Sequence, residues 1–319
     1  MLKLSVDISK TTPELLTILE KASKFRKQWQ KSSILKQMIT IYYHFMQLKA
    51  YHPANILLIP TIDIEIVWQT HLLRPEIYQA DCRHLFRRVI DHSLLINDIQ
   101  QHIKEQAFQD TCQLYEQRFG EQYCPLTSID EKKEAKSNVS HDSSGTFCCI
   151  GENYSYWDNT YYKFPLKIPK DYENPFSFTD ADIIIDMNWL DFCKQFMANP
   201  KCNSRFFNHN LDQRHKLRFG HDAMKKLEKS YERFLYMAAK YPLEDGNVFV
   251  SPTYAIDIIW HSHMQEPLKY VADCIRLVGY VINHSPWPQI DDHTMKKSCD
   301  KTNDIWKEEF DSDITTDHV

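Results

Sequence analysis

Glycine is scarce in this chain, with six residues among 319. That scarcity excludes the glycine-rich turns that cradle phosphates in P-loop and dinucleotide-binding proteins. Paired cysteines are missing as well. Of nine cysteines, Cys148 and Cys149 are neighbours, the rest stand singly, and no Cys-x-x-Cys spacing occurs. A disulfide framework and a zinc-finger module are therefore not expected, and reduced thiols in the cytoplasm fit best. There is no excess of basic charge: the formal net charge is −5 and the pI about 6.3. No basic field is on hand to draw in nucleic acid or an anionic membrane. No apolar run approaches the roughly 20 residues that span a bilayer. The opening MLKLSVDISKTTPE also lacks the apolar core of a secretory signal. The expected location is cytoplasmic, with no nucleic acid and no membrane as partner.

What the sequence does have is a passage written twice. PTIDIEIVWQTHLLRPEIYQADC, beginning at Pro60, returns 192 residues later as PTYAIDIIWHSHMQEPLKYVADC, beginning at Pro252. The match runs without a gap through Ser93 and Ser285, and 16 of 34 positions are identical. The shared residues include Trp68/Trp260, His71/His263, Pro75/Pro267, Tyr78/Tyr270, Asp81/Asp273, Cys82/Cys274 and His92/His284.

Around each block the pattern is helical. A first helix is expected from Pro13 to Gln30, opening after Thr12 as N-cap. A helix at 32–49 corresponds to one at 223–240, each closed by a Tyr-Pro or Tyr-His-Pro turn. Within the block, a helix from Thr61 or Asp63 to Leu73 gives way to another that opens at Pro75, where the missing N–H costs nothing. TCQLYEQRF, from Thr111, and TNDIWKEEF, from Thr302, supply a closing helix in each copy. The expected fold is all-α: a duplicated helical unit of about five helices, in two lobes joined by a linker. The lobes fall at 1–126 and 181–319. Residues 127–146, charged and small, read as a disordered linker. Residues 147–180 hold too many aromatic rings for a free linker and read as an extended segment pinned by them.

On a helix, Ile64, Val67, Trp68 and His71 share one face, as do Ile256, Ile259, Trp260 and His263. The histidine thus sits on the apolar stripe and needs a partner, since an unpaired buried polar group costs about 1–3 kcal/mol. Asp81, Tyr78 and Cys82 are the nearest candidates. The bland reading makes His71 and Asp81 a polar clip between two helices, with Trp68, Tyr78, Cys82, Trp260, Tyr270 and Cys274 as core. A second reading makes His71, Asp81, His92, His263, Asp273 and His284 metal ligands, for zinc or iron. A third makes Cys82 a nucleophile with His71 as base, but a thiol on a buried stripe lacks the accessible, electropositive setting that chemistry needs. No catalytic residue and no cofactor is assigned. His261 forms a His-x-His pair with His263, but the two point about 200° apart on a helix and cannot chelate one ion together. Arg83, His84, Arg87 and Arg88 read as a solvated basic face.

These residues resemble a known family. RFLYMAAKYP, then VSPTYAIDIIWHSHMQEPLKYVADC, then INHS, is similar to the N-terminal domain of the glycine-rich domain-containing proteins, and the first copy follows the same grammar. The resemblance covers 32–123 and 187–310. It implies a domain without a defined biochemical activity, found in plant proteins linked to growth and stress responses. Some members carry a glycine-rich tail with an RNA-binding motif, which six glycines cannot supply here. The family's aspartate after the second-copy histidine is replaced by Ser285, and Ser93 follows His92 likewise. The leading expectation is a non-enzymatic binding or scaffold module with a protein partner. A metal-dependent or histidine-based enzyme is the alternative, and an adaptor working through the aromatic segment a third.

Overall fold

The computed structural model describes residues 3–94, 101–123, 173–198, 221–242, 251–284 and 292–317. Among these there are eleven helices and no strand. They are α1 (Ile8–Ser23), α2 (Arg26–Trp29), α3 (Ser32–Tyr51), α4 (Ile62–Leu72), α5 (Pro75–Phe86), α6 (Gln101–Phe119), α7 (Asp180–Ala198), α8 (His221–Lys240), α9 (Tyr254–Met264), α10 (Pro267–Leu277) and α11 (Asp292–Phe310). The protein is all-α. Helices α3 to α6 repeat as α8 to α11 in the same order and at closely similar lengths. The expected linker at 127–146 and the part of the aromatic segment at 147–172 lie outside the described residues.

The N-terminal helix differs from expectation. It begins at Ile8, with Pro13 inside it, and ends at Ser23, with the short α2 following. Asp7 starts it, not Thr12: its Oδ1 accepts from the Lys10 N–H at 3.3 Å and its carbonyl from the Thr11 N–H at 2.9 Å. Thr12 is fully buried. A second addition is α7, which the sequence reading left without an element.

The chain divides into two compact units, neither continuous in sequence. One comprises Met1–Glu20, Gln69–Asn97 and Ser177–Val319; the other comprises Lys21–Trp68 and Asp98–Phe176. The first copy contributes to both units: α3 and α6 to the second, α5 to the first.

In the second unit the core is aromatic. Tyr42 and Phe45 of α3 meet Trp68 of α4 with ring centroids 6.2 and 5.7 Å apart. Tyr115 of α6 packs on Tyr123 at 4.9 Å, and Phe176 packs on Tyr42 at 5.0 Å. The first unit repeats the plan: Tyr231 and Phe234 of α8, Trp260 of α9 and Trp306 of α11 are all sealed from solvent, with Phe234 4.9 Å from Trp260.

Helices α4 and α9 are buried on every side, from Ile62 to Leu72 and from Ala255 to Met264. A helix enclosed in this way carries no solvent face, so its polar residues must all find partners inside the protein. This decides which side chains become available for a site.

Candidate functional site

Each copy places its block histidine against its block aspartate. His71 Nε2 lies 3.3 Å from Asp81 Oδ2, and His263 Nε2 lies 3.2 Å from Asp273 Oδ2. Both imidazoles are fully buried. Burial lowers the pKa of His71 and of His263, and the facing carboxylates only partly restore it. Burial works against charge on Asp81 and Asp273 too, but His71 and Ser177 at the one, and His263, Arg276 and Ser5 at the other, prevail and hold both carboxyls below the usual range.

The serines come from segments that precede helices. Asp81 accepts from the Ser177 N–H at 2.7 Å and from Ser177 Oγ at 2.6 Å, just before α7. Asp273 accepts from the Ser5 N–H at 2.6 Å and from Ser5 Oγ at 2.8 Å, just before α1. Each clip is therefore closed by the segment that precedes the other copy in the chain. The remaining block residues are framework. Tyr78 donates to the Ile90 carbonyl at 2.6 Å and Tyr270 to the equivalent Ile282 carbonyl at 2.7 Å, while Trp260 Nε1–H donates to Tyr270 Oη at 2.9 Å. Burial pushes the Cys82 thiol up to about 11 and raises Cys274 as well, so neither sulfur is a thiolate at neutral pH.

His92 and His284 go elsewhere. His92 Nδ1 lies 2.6 Å from the Gln265 carbonyl, and His284 Nδ1 lies 3.0 Å from the Leu73 carbonyl. Leu73 and Gln265 are themselves equivalent positions, so the two contacts are reciprocal, as in an isologous interface. A carbonyl only accepts, so Nδ1 carries a proton in both histidines and Nε2 is the ring nitrogen left to face other partners.

At His284 that second nitrogen points into a cluster. Its Nε2 is 3.1 Å from His261 Nε2 and 3.4 Å from Asp257 Oδ1, and His261 Nε2 is also 3.4 Å from Asp257 Oδ1. All three residues are buried. Asp257 Oδ2 accepts from Trp189 Nε1–H at 2.6 Å, and the Trp189 ring stacks on His261 with centroids 4.1 Å apart. Asp257 Oδ1 has no donor in hydrogen-bonding geometry. Burial opposes charge on Asp257, but the two imidazoles outweigh it and hold the carboxyl far below its ordinary value. Burial also lowers His261, with Asp257 working in the opposite direction.

The six candidate ligands thus part company. His71 pairs with Asp81, His263 with Asp273, and His92 bonds to a main-chain carbonyl; only His284 joins a group of donors. Its companions, Asp257 and His261, were missed. The signal was present in DIIWH, where Asp257 and His261 stand four apart and share a helix face. His261 and His263 do point apart, as expected, into two separate buried clusters. Arg83, His84, Arg87 and Arg88 are all exposed.

A duplicated, all-helical block with two His–Asp clips defines a particular class of helical domain, and comparison with known proteins says which. The family model described as glycine-rich domain-containing protein-like matches residues 3–81 and 137–273, more than half of the chain, and the chain belongs to that family. It is 24% identical over 257 residues to glycine-rich domain-containing protein 1 of Arabidopsis thaliana, covering 79% of this chain and 25% of that protein. It is 23% identical over 227 residues to glycine-rich domain-containing protein 2 of the same plant, covering 71% and 22%. The chain spans about a quarter of the length of these curated relatives. No solved structure matches. Among the described residues no helix is long and apolar enough to cross a membrane.

Proposed function

We propose that this chain is a non-enzymatic helical binding or scaffold module that works in the cytosol with a protein partner, and that its two Trp-x-x-His blocks are packing cores. One observation carries the reading: His71 and His263 have no exposed surface, and each faces a carboxylate that is itself held by a serine. An imidazole enclosed in this way fixes the angle between two helices and meets no substrate. The raised thiols of Cys82 and Cys274 remove the nucleophilic alternative.

The test is proximity labelling in cells, followed by reconstitution of the purified chain with each labelled protein. A partner that binds the purified chain supports the reading. A chemical turnover by the purified chain that disappears in a folded His71→Gln/His263→Gln variant would sink it. A metal-based reading has one specific observation in its favour, the cluster of Asp257, His261 and His284.

A further inference from the structure

We infer that Asp257, His261 and His284 form a binding site for one divalent first-row transition-metal ion, present in the second copy and absent from the first. The donor atoms are spaced as ligands of a single ion would be. Bonds of about 2.0–2.1 Å in a tetrahedral site set neighbouring ligand atoms about 3.4 Å apart. A facial set on an octahedral ion brings them to about 3.0 Å. The observed separations are 3.1, 3.4 and 3.4 Å.

The outer contacts are those that ligands need. The Leu73 carbonyl holds Nδ1–H of His284, which turns Nε2 inward. Asp257 is held by Trp189 through Oδ2, leaving Oδ1 directed at the two imidazoles without a hydrogen-bond donor. The Trp189 ring lies flat on His261 and fixes its plane. Such outer partners orient ligands and set the tautomer at metal sites. With Nδ1 of His284 turned to the Leu73 carbonyl and Oδ2 of Asp257 taken by Trp189, the two Nε2 atoms and Oδ1 are left facing one point, where a divalent cation would bind all three. Two imidazoles and one carboxylate suit zinc or iron(II), and three protein ligands leave at least one position for water or a small ligand.

The first copy supplies an internal control. Its equivalents of Asp257, His261 and His284 are Glu65, Gln69 and His92. Gln69 cannot replace an imidazole ligand, and its amide instead donates to Gln265 Oε1 at 2.5 Å. The duplicated fold therefore tolerates glutamine at this position, which makes His261→Gln the variant of choice.

The experiment uses the full chain with any affinity tag removed, stripped with a chelator and dialysed. Zinc, iron(II) and cobalt(II) salts are then titrated separately by calorimetry, with elemental analysis of the protein as isolated. The expected result is about one equivalent of metal, at least 100-fold weaker binding in His261→Gln at unchanged helicity, and no such loss in a Gln69→Ala control. Cobalt(II) should give ligand-field bands that His261→Gln abolishes. Zinc occupancy in the isolated protein assigns zinc, and iron assigns iron. Should His261→Gln not fold, the wild-type protein decides: a melting temperature raised by zinc or iron(II) and lowered by chelator supports the site. No binding by wild type, more than one equivalent at equal affinity, or binding unchanged in His261→Gln overturns it.

Discussion

Trp68 and Trp260 show what a single residue does here. Each indole is almost wholly enclosed, packed against Phe45 in one copy and Phe234 in the other. Truncating either to alanine removes a large buried surface and leaves a cavity that neighbouring rings cannot fill, so Trp68→Ala and Trp260→Ala should each cost about 3–5 kcal/mol in urea melts. A loss below about 1 kcal/mol would contradict the packing. The buried histidines add a pH dependence of known sign. His71 and His44 both hold pKa values below the ordinary 6.5 because burial disfavours the imidazolium. Below 6.5 the unfolded chain takes up protons that the folded one refuses, so stability falls as the pH drops from 7 towards 5. Asp81, depressed below its usual 3.8, adds a further loss only in stronger acid. Urea midpoints measured between pH 7 and 5 should decline steadily, and a His71→Gln variant should show a shallower slope.

At the scale of elements, the two copies end their helices by the same left-handed turn, made with different residues. After α10 the turn falls on Gly279, with φ of 96°, and after α5 its counterpart is Arg87, with φ of 62°. After α6 it falls on Gly120, with φ of 65°, and after α11 on Asp311, with φ of 50°. In every case the turn's N–H bonds back into the last helical turn. A side chain in this conformation costs about 1–2 kcal/mol that glycine avoids, though glycine also gains entropy when unfolded. Arg87→Gly and Asp311→Gly should therefore each stabilise the protein by up to about 1 kcal/mol, read as a higher melting temperature. An unchanged or lower value at both positions would show that the turns are held by contacts of the arginine and aspartate themselves.

At the scale of the molecule, what joins separated parts of the chain is a small set of buried polar contacts. Arg74, at the start of α5, donates to the Thr70 carbonyl at 2.7 Å, to Asp186 at 2.7 Å and to Asp182 at 2.9 Å, bringing α7 onto the end of α4 within the first unit. Removing the guanidinium would take the cation from two buried carboxylates, leaving Asp182 its bonds from Thr179. Arg74→Met should cost about 3–5 kcal/mol, and Asp182→Asn/Asp186→Asn in the same chain should restore much of the loss. Equal stability of Arg74→Met and wild type in urea would show the pairing to be incidental. The exchanged serine segments act at the same scale, since Ser5 and Ser177 each close a clip in the copy that lies farther along or farther back in the chain.

The sequence by itself determined the repeated helices, their order and their duplication, because helical periodicity, Pro75 and Pro267 at helix starts, and an ungapped repeat are local properties of the chain. It also narrowed the partner of His71 to Asp81, Tyr78 or Cys82 on the helix that follows, and the structure picks the aspartate in both copies. Only the tertiary structure decided the rest. Periodicity assigns a helix one buried face, but α4 and α9 are buried all round, and that makes His261 and Asp257 members of a core cluster with His284. The serines that close the clips and the carbonyls that orient His92 and His284 depend on partners up to 268 residues away. Contacts of that range are set by how helices pack, which no local spacing encodes.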